Sequence, residues 1–222
     1  MRSQRLKDLV FTAQRPATVL NRALWKFRLN QNVPERLRRN GQLWLNIGSG
    51  GHPLPGFVNI DANRARRPDM WLDVRQGLPF QSGTVDRIYT CHVLEHFYAD
   101  ELTAVLSECA RVLKPGGGMR ILVPSLEIAC RAYLERDESV LSDFPRPYRS
   151  LGGRVVNMIF CDGQHRMGFD FSLAQELLED AGFREVRRAA RWEGTLFPRE
   201  VLEASEPALS WVDISLIVEA IR

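Results

Sequence analysis

Residues 45–51 read LNIGSGG, and residues 57–61 read FVNID. A short apolar run stopped by glycines, then a second apolar run ending in an acid, constrains this chain more than any other feature. Leu43 to Ile47 is too short and too continuous for an amphipathic helix and reads as a buried strand. The glycines put a tight turn at its carboxyl end. In an open parallel sheet that is where ligands bind, and Asp61 then falls at the end of the neighbouring strand.

The rest of the chain alternates in the same way. Phe57–Ile60, Met70–Leu72, Asp86–Thr90 and Met119–Pro124 are further strand candidates, two of them followed at once by Asp61 and Asp73. Ala99–Leu113 has helical periodicity and is closed by KPGGG. Leu126–Leu134 predicts another helix and 135–150 a polar, proline-containing loop. FSLAQELLEDAGF predicts a last helix with Ser172 as N-cap, Gln175 at the capping-box position and Gly182 as the stop. FREVRRAARW and WVDISLIVEAIR are the last two strands, joined by a proline-containing stretch. Strands alternating with helices and ending in a strand pair give an α/β fold, an open sheet with helices on both faces.

A chain of 222 residues, 45% hydrophobic and 26% charged, suffices for one domain with an appendage. Residues 1–40 form that appendage: ten Lys/Arg against Asp8 and Glu35, leaving −5 for the remainder of a chain whose net charge is +3. Leu6, Leu9 and Val10, then Leu20, Leu24 and Phe27, predict two short amphipathic helices separated by Pro16 and ending before Pro34. Their apolar side is expected to pack on the domain. The alternatives are a peripheral anionic partner or self-association through the basic arm. No apolar run reaches membrane-spanning length, and the N-terminus lacks the apolar core of a secretory signal. Cys91, Cys109, Cys130 and Cys161 are scattered without a metal or disulfide pattern, so a reducing cytoplasm is the expected compartment.

The glycine turn discriminates between cofactors. A dinucleotide fingerprint needs a third glycine opening a helix, where this chain has Pro53 and then Pro55. Its acid should follow after about 20 residues, whereas Asp61 lies eleven beyond Gly50. A pyrophosphate cradle is disfavoured, and with it an NAD-dependent sugar-modifying enzyme. A cofactor with a nucleoside and a zwitterionic tail but no phosphate would tolerate the turn.

LNIGSG, VNID, DVRQGLPFQSGTVDRIYTCHVLEHF, RVLKPGGGMRILVPS and FSLAQELLEDAGF, in that order, resemble the class I S-adenosylmethionine-dependent methyltransferases, specifically small bacterial forms with a shortened first crossover. The resemblance covers residues 43–222; the domain it implies is 41–222, with 1–40 outside. It implies a Rossmann-like doubly wound sheet of about seven strands in the order 3-2-1-4-5-7-6, the last strand antiparallel. It implies S-adenosyl-L-methionine as cofactor: Gly48, Ser49 and Gly50 under its methionine part, Asp61 on the ribose, Asp73 with Val74 and Leu78 at the adenine, and Cys91 and His92 near the methionine end. HPLPG stands where the wider superfamily has a long helix.

Chemistry at the acceptor is less sharply written. An acceptor hydroxyl or amine has to lose a proton, and His165 in CDGQHRMGFDF (161–171) is the first candidate base, His96 the second. A histidine shaping the loop is an equal reading, and Arg166 either holds an anionic acceptor or pairs with Asp170. His92 and His96 are spaced for a shared helical face, yet no third ligand is apparent, so no metal is expected. Glu95 reads as an internal salt-bridge partner. The expected activity is methyl transfer to an O or N atom of a small molecule or a sugar or glycan precursor, the alternative a non-catalytic cofactor-binding or regulatory module. Nucleic acid is disfavoured as a partner, because the N-terminal aromatics sit in the apolar helical set rather than on a stacking platform.

Overall fold

The computed structural model describes residues 4–29, 34–206 and 213–222. Seven strands form one sheet: β1 (Trp44–Ile47), β2 (Val58–Asp61), β3 (Met70–Trp71), β4 (Val85–Cys91), β5 (Leu113–Pro124), β6 (Arg184–Arg188) and β7 (Ser215–Ile221). Their order is β3-β2-β1-β4-β5-β7-β6, with β7 antiparallel to both neighbours and the first five parallel. All four residues of β1 are buried, as a central parallel strand covered on both faces requires. Trp211 and Val212, assigned to the last strand from the sequence, lie outside the described residues.

Helices α2 (Ala99–Val112), α3 (Leu126–Glu135) and α5 (Phe171–Asp180) occupy the expected positions. In α2, Leu102, Val105, Leu106, Cys109 and Ala110 form the buried stripe, while Glu101 accepts from the Tyr98 N–H at the N-terminus. KPGGG does not lie outside the sheet; β5 begins at Leu113 and runs through it. The cap of α5 is Asp170 rather than Ser172: its carboxylate accepts from Leu173 N–H at 2.8 Å and from the Ser172 hydroxyl. Gln175 points to Glu179 instead of closing a capping box. Two helices escape the periodicity reading, α4 (Leu151–Phe160) and α6 (Arg199–Ser205).

The N-terminal extension departs furthest from expectation. It is one helix, α1 (Gln4–Leu29), continuous through Pro16. A mid-helix proline costs about 3 kcal/mol, and long-range contacts stand against that cost. The Thr18 hydroxyl donates to Arg15 O at 2.9 Å and accepts from the Gln76 amide, Asn21 donates to Trp71 O, and Arg22 donates to Gly77 O. These groups, with Trp25 and buried Leu29, define the docked side. Leu9, Leu20, Leu24 and Phe27 therefore face solvent rather than the domain. The docked side is chosen by hydrogen bonds to loop carbonyls, which hydropathy alone does not register.

Candidate functional site

The turn after β1 is held by its neighbour. Gly48 N–H and Ser49 N–H both donate to Ile60 O, at 2.8 and 3.1 Å, and Gly50 N–H donates to Asp61 Oδ2 at 2.7 Å. With its amides taken by β2, the turn presents no row of free donors to a pyrophosphate. It presents bare backbone beside a carboxylate. Gly48 has φ of +71°, and a Cβ there would come within 2.2 Å of Val93 Cγ2. Only glycine satisfies both conditions, so the turn is pressed against the segment that leaves β4.

That segment carries the second half of the site. His92 sits at a left-handed φ of +53°, and Leu94–His96 is a single 3-10 turn. His92 and His96 are therefore not partners on one helical face. What the turn does is drive Glu95 into the interior, with no exposure, while His96 stays at the surface. Neither carboxylate oxygen of Glu95 has a hydrogen-bond partner among the described residues. His92 Nδ1 lies 3.5 Å from Glu95 Oε1, and His165 Nε2 lies 3.8 Å from it. His165 is delivered from the far side of the chain: the Arg166 and Met167 N–H groups donate to Glu95 O at 2.6 and 3.2 Å, tying the 161–171 loop to the 3-10 turn.

Tautomers follow from the acceptors. His165 Nδ1 is 2.9 Å from Ile159 O and His96 Nδ1 is 3.0 Å from Gln164 O. A carbonyl only accepts, so each ring carries its proton on Nδ1 and its lone pair on Nε2. The two rings meet edge to face, centroids 5.1 Å apart. Burial pushes Glu95 up to about 8, and burial with the neighbouring His96 pulls His165 down to about 4. A protonated, neutral carboxyl beside a neutral imidazole is thus the resting state near pH 7.

One cavity of about 720 Å³ joins these parts. Gly48, Ser49, Gly50, Cys91, His92, Glu95, His96 and His165 all line it. Tyr89 and Ser205 close its inner wall, with the Tyr89 hydroxyl donating to Ser205 O at 3.1 Å. The remaining sequence candidates lie outside this lining. Asp61 stands behind the turn, its second oxygen accepting from Asn63 N–H at 2.6 Å. Asp73 is engaged at both oxygens by Arg75, and Leu78 belongs to the core, with Val74 packed against it. Sequence reading passed over Glu95 as part of the site. An acid four residues past the end of β4, between His92 and His96, was its only signal in the sequence.

The volume fits a small phosphate-free nucleoside. The space is in the range of small-molecule pockets, the glycine wall leaves room, and a carboxylate stands at its back.

Residues 52–121 match a family model described as a methyltransferase domain. No curated protein matches the chain. Among solved structures, the chain is similar to an S-adenosylmethionine-dependent methyltransferase from Archaeoglobus fulgidus, at 16% identity and a TM-score of 0.50, covering 90% of this chain and 94% of that one. A Bordetella parapertussis protein gives 13% identity and a TM-score of 0.51 over 90% of this chain and 66% of that one. A phosphoethanolamine N-methyltransferase from Haemonchus contortus, solved with S-adenosylmethionine, gives 14% and 0.48, and this chain spans only 48% of it.

Proposed function

The chain carries a methyltransferase domain on the class I fold, whose cofactor is S-adenosylmethionine, and from that premise we propose that it methylates an O or N atom of a small-molecule or sugar-like acceptor. The observation that carries this reading is the shared cavity, which has the glycine turn on one wall and Glu95, His96 and His165 on another. Bound S-adenosylmethionine supplies a methyl group already activated on a sulfonium, so the protein's task is alignment and proton removal.

In this reading Gly48, Ser49 and Gly50 underlie the methionine part, and Cys91 and His92 border its reactive end. Asp61 takes the ribose hydroxyls through the lone pairs that Gly50 and Asn63 leave. Asp73, with Val74 and Leu78, serves the adenine, which requires Arg75 to yield part of its hold on that carboxylate. His165 Nε2 is the base that accepts the acceptor's proton, since its Nδ1–H is fixed by Ile159 O. His96 is the second candidate for that role. The glycan option rests on the resemblance alone.

The test is calorimetric titration with S-adenosylmethionine, S-adenosylhomocysteine and, as control, NAD. We expect both sulfur nucleotides to bind, NAD not to bind, and Asp61→Ala to abolish binding. Methyl transfer to a panel of sugars, amines and phenols then identifies the acceptor. With that acceptor, His165→Gln keeps cofactor affinity and lowers turnover by about 10²–10⁴. Binding without transfer to any acceptor would favour a cofactor-binding module instead.

A further inference from the structure

We propose that Glu95, His96 and His165 form a binding site for one divalent transition-metal ion at the acceptor end of the cavity. This deepens the methyltransferase reading and rests on it only for what the ion does, not for whether it binds. One ligand atom from each of the three residues falls within 4.8 Å of the others. Two imidazoles and one carboxylate on one side, with the cavity on the other, is the facial arrangement that leaves coordination positions open.

Three features distinguish this cluster from a chance gathering of polar groups. Glu95 is fully buried, and both of its oxygens lack a hydrogen-bond partner among the described residues. An orphaned buried carboxylate is costly, and a cation is one partner that removes the cost. Both histidines have the outer bond that metal-ligating imidazoles use, Nδ1–H to a main-chain carbonyl, which orients the ring and leaves Nε2 as donor. Finally, the loop is tied to the 3-10 turn by two bonds onto Glu95 O, so the ligand atoms are positioned by backbone rather than by long flexible side chains. The mixed nitrogen and oxygen set suits Zn²⁺, Mn²⁺, Fe²⁺ or Co²⁺ better than an all-oxygen ion such as Mg²⁺.

An acceptor oxygen on this ion would become more acidic and release its proton to solvent water. His165 Nε2 then serves as ligand, and the imidazole is relieved of the base role. His92, whose Nε2 bonds Ser215 Oγ at 2.8 Å, stands beside the cluster as an orienting neighbour of Glu95.

The experiment uses the full chain, stripped with chelator and titrated with Co²⁺ by calorimetry and visible absorption, with no acceptor needed. We expect one ion per chain and a d–d spectrum of nitrogen and oxygen ligation. Glu95→Gln and His165→Gln should each weaken binding by at least about tenfold, while His52→Gln on the opposite wall should not. A cooperative thermal unfolding transition followed by circular dichroism certifies that the variants are folded. Asp61→Ala should lose cofactor yet keep the ion, which separates failure of this site from failure of the cofactor reading. Absence of Co²⁺ binding, or equal binding by the wild type and both ligand variants, overturns the proposal and leaves His165 as the base.

Discussion

Glu95 is a fully buried acid in the wall of the cavity, and its titration gives a signed prediction. Its folded pKa of about 8 lies above the ordinary carboxyl value of 4.5. Between those values the folded state holds a proton that the unfolded state has released, so stability falls as pH rises through that window. His165 acts oppositely over its own interval: pulled down to about 4 from 6.5, it makes stability rise with pH between those limits. The two offset one another below pH 6.5. Above it Glu95 acts alone, with a slope of at most about 1.4 kcal/mol per pH unit. In metal-free buffer with chelator, urea unfolding of the wild type should therefore lose stability from pH 6.5 to 8, and Glu95→Gln should show a flatter profile. Identical profiles would mean that Glu95 is already ionised at neutral pH. Why this acid looked like an ordinary salt-bridge partner in sequence is plain: of the two imidazoles beside it, His92 is local but His165 is distant in the chain, and only the fold brings His165 to it. The positions of Gly48 in the turn and Asp61 at the end of β2, by contrast, were legible because a strand, a turn and the next strand are consecutive, and local punctuation reports local geometry.

At the scale of elements, the far end of the sheet is organised by a buried charge network as well as by the apolar cluster around Leu196, Phe197, Val201 and Leu202. Arg120 on β5 has no exposure, and all five of its N–H donors are used. It donates to Glu206 through Nε at 2.6 Å and Nη2 at 3.0 Å, to Glu219 on β7 through Nη1 at 3.0 Å, and to the carbonyls of Glu193 and Ala190. Glu206 and Glu219 also accept from Trp192 N–H and Thr195 N–H, and Arg187 completes the balance at Glu219. The network fastens the 190–206 segment and α6 over the sheet, and Ser205, next to Glu206, is a wall of the cavity. Replacing Arg120 with Met leaves two buried carboxylates facing each other, and should cost about 3–5 kcal/mol. Chemical denaturation measures that directly; a loss below 1 kcal/mol would mean the acids are hydrated. Sequence offered Glu206, Glu219 and Arg120 as three isolated charges in three different segments. Alternation made the open α/β sheet legible and the family resemblance implied its strand order, but charge pairing across 86 and 99 residues is not periodic.

For the whole molecule, the question is how a basic helix of 26 residues attaches to the domain. Hydropathy pointed its leucines inward, since an amphipathic helix normally buries its apolar stripe. Here Leu9, Leu20, Leu24 and Phe27 face out, and the docked side is Thr18, Asn21, Arg22, Trp25 and Leu29. The two faces make opposite predictions. Leu20→Gln with Leu24→Gln removes largely exposed apolar surface, so unfolding free energy should change by no more than about 0.5 kcal/mol. Asn21→Ala removes the 2.7 Å bond to Trp71 O, leaves a part-buried carbonyl without that donor, and should cost about 1–3 kcal/mol. Thermal unfolding of both variants ranks the faces without reference to any ligand. A large loss from the leucine pair together with a neutral Asn21→Ala would show that α1 lies on the domain by its apolar side, as hydropathy alone had indicated.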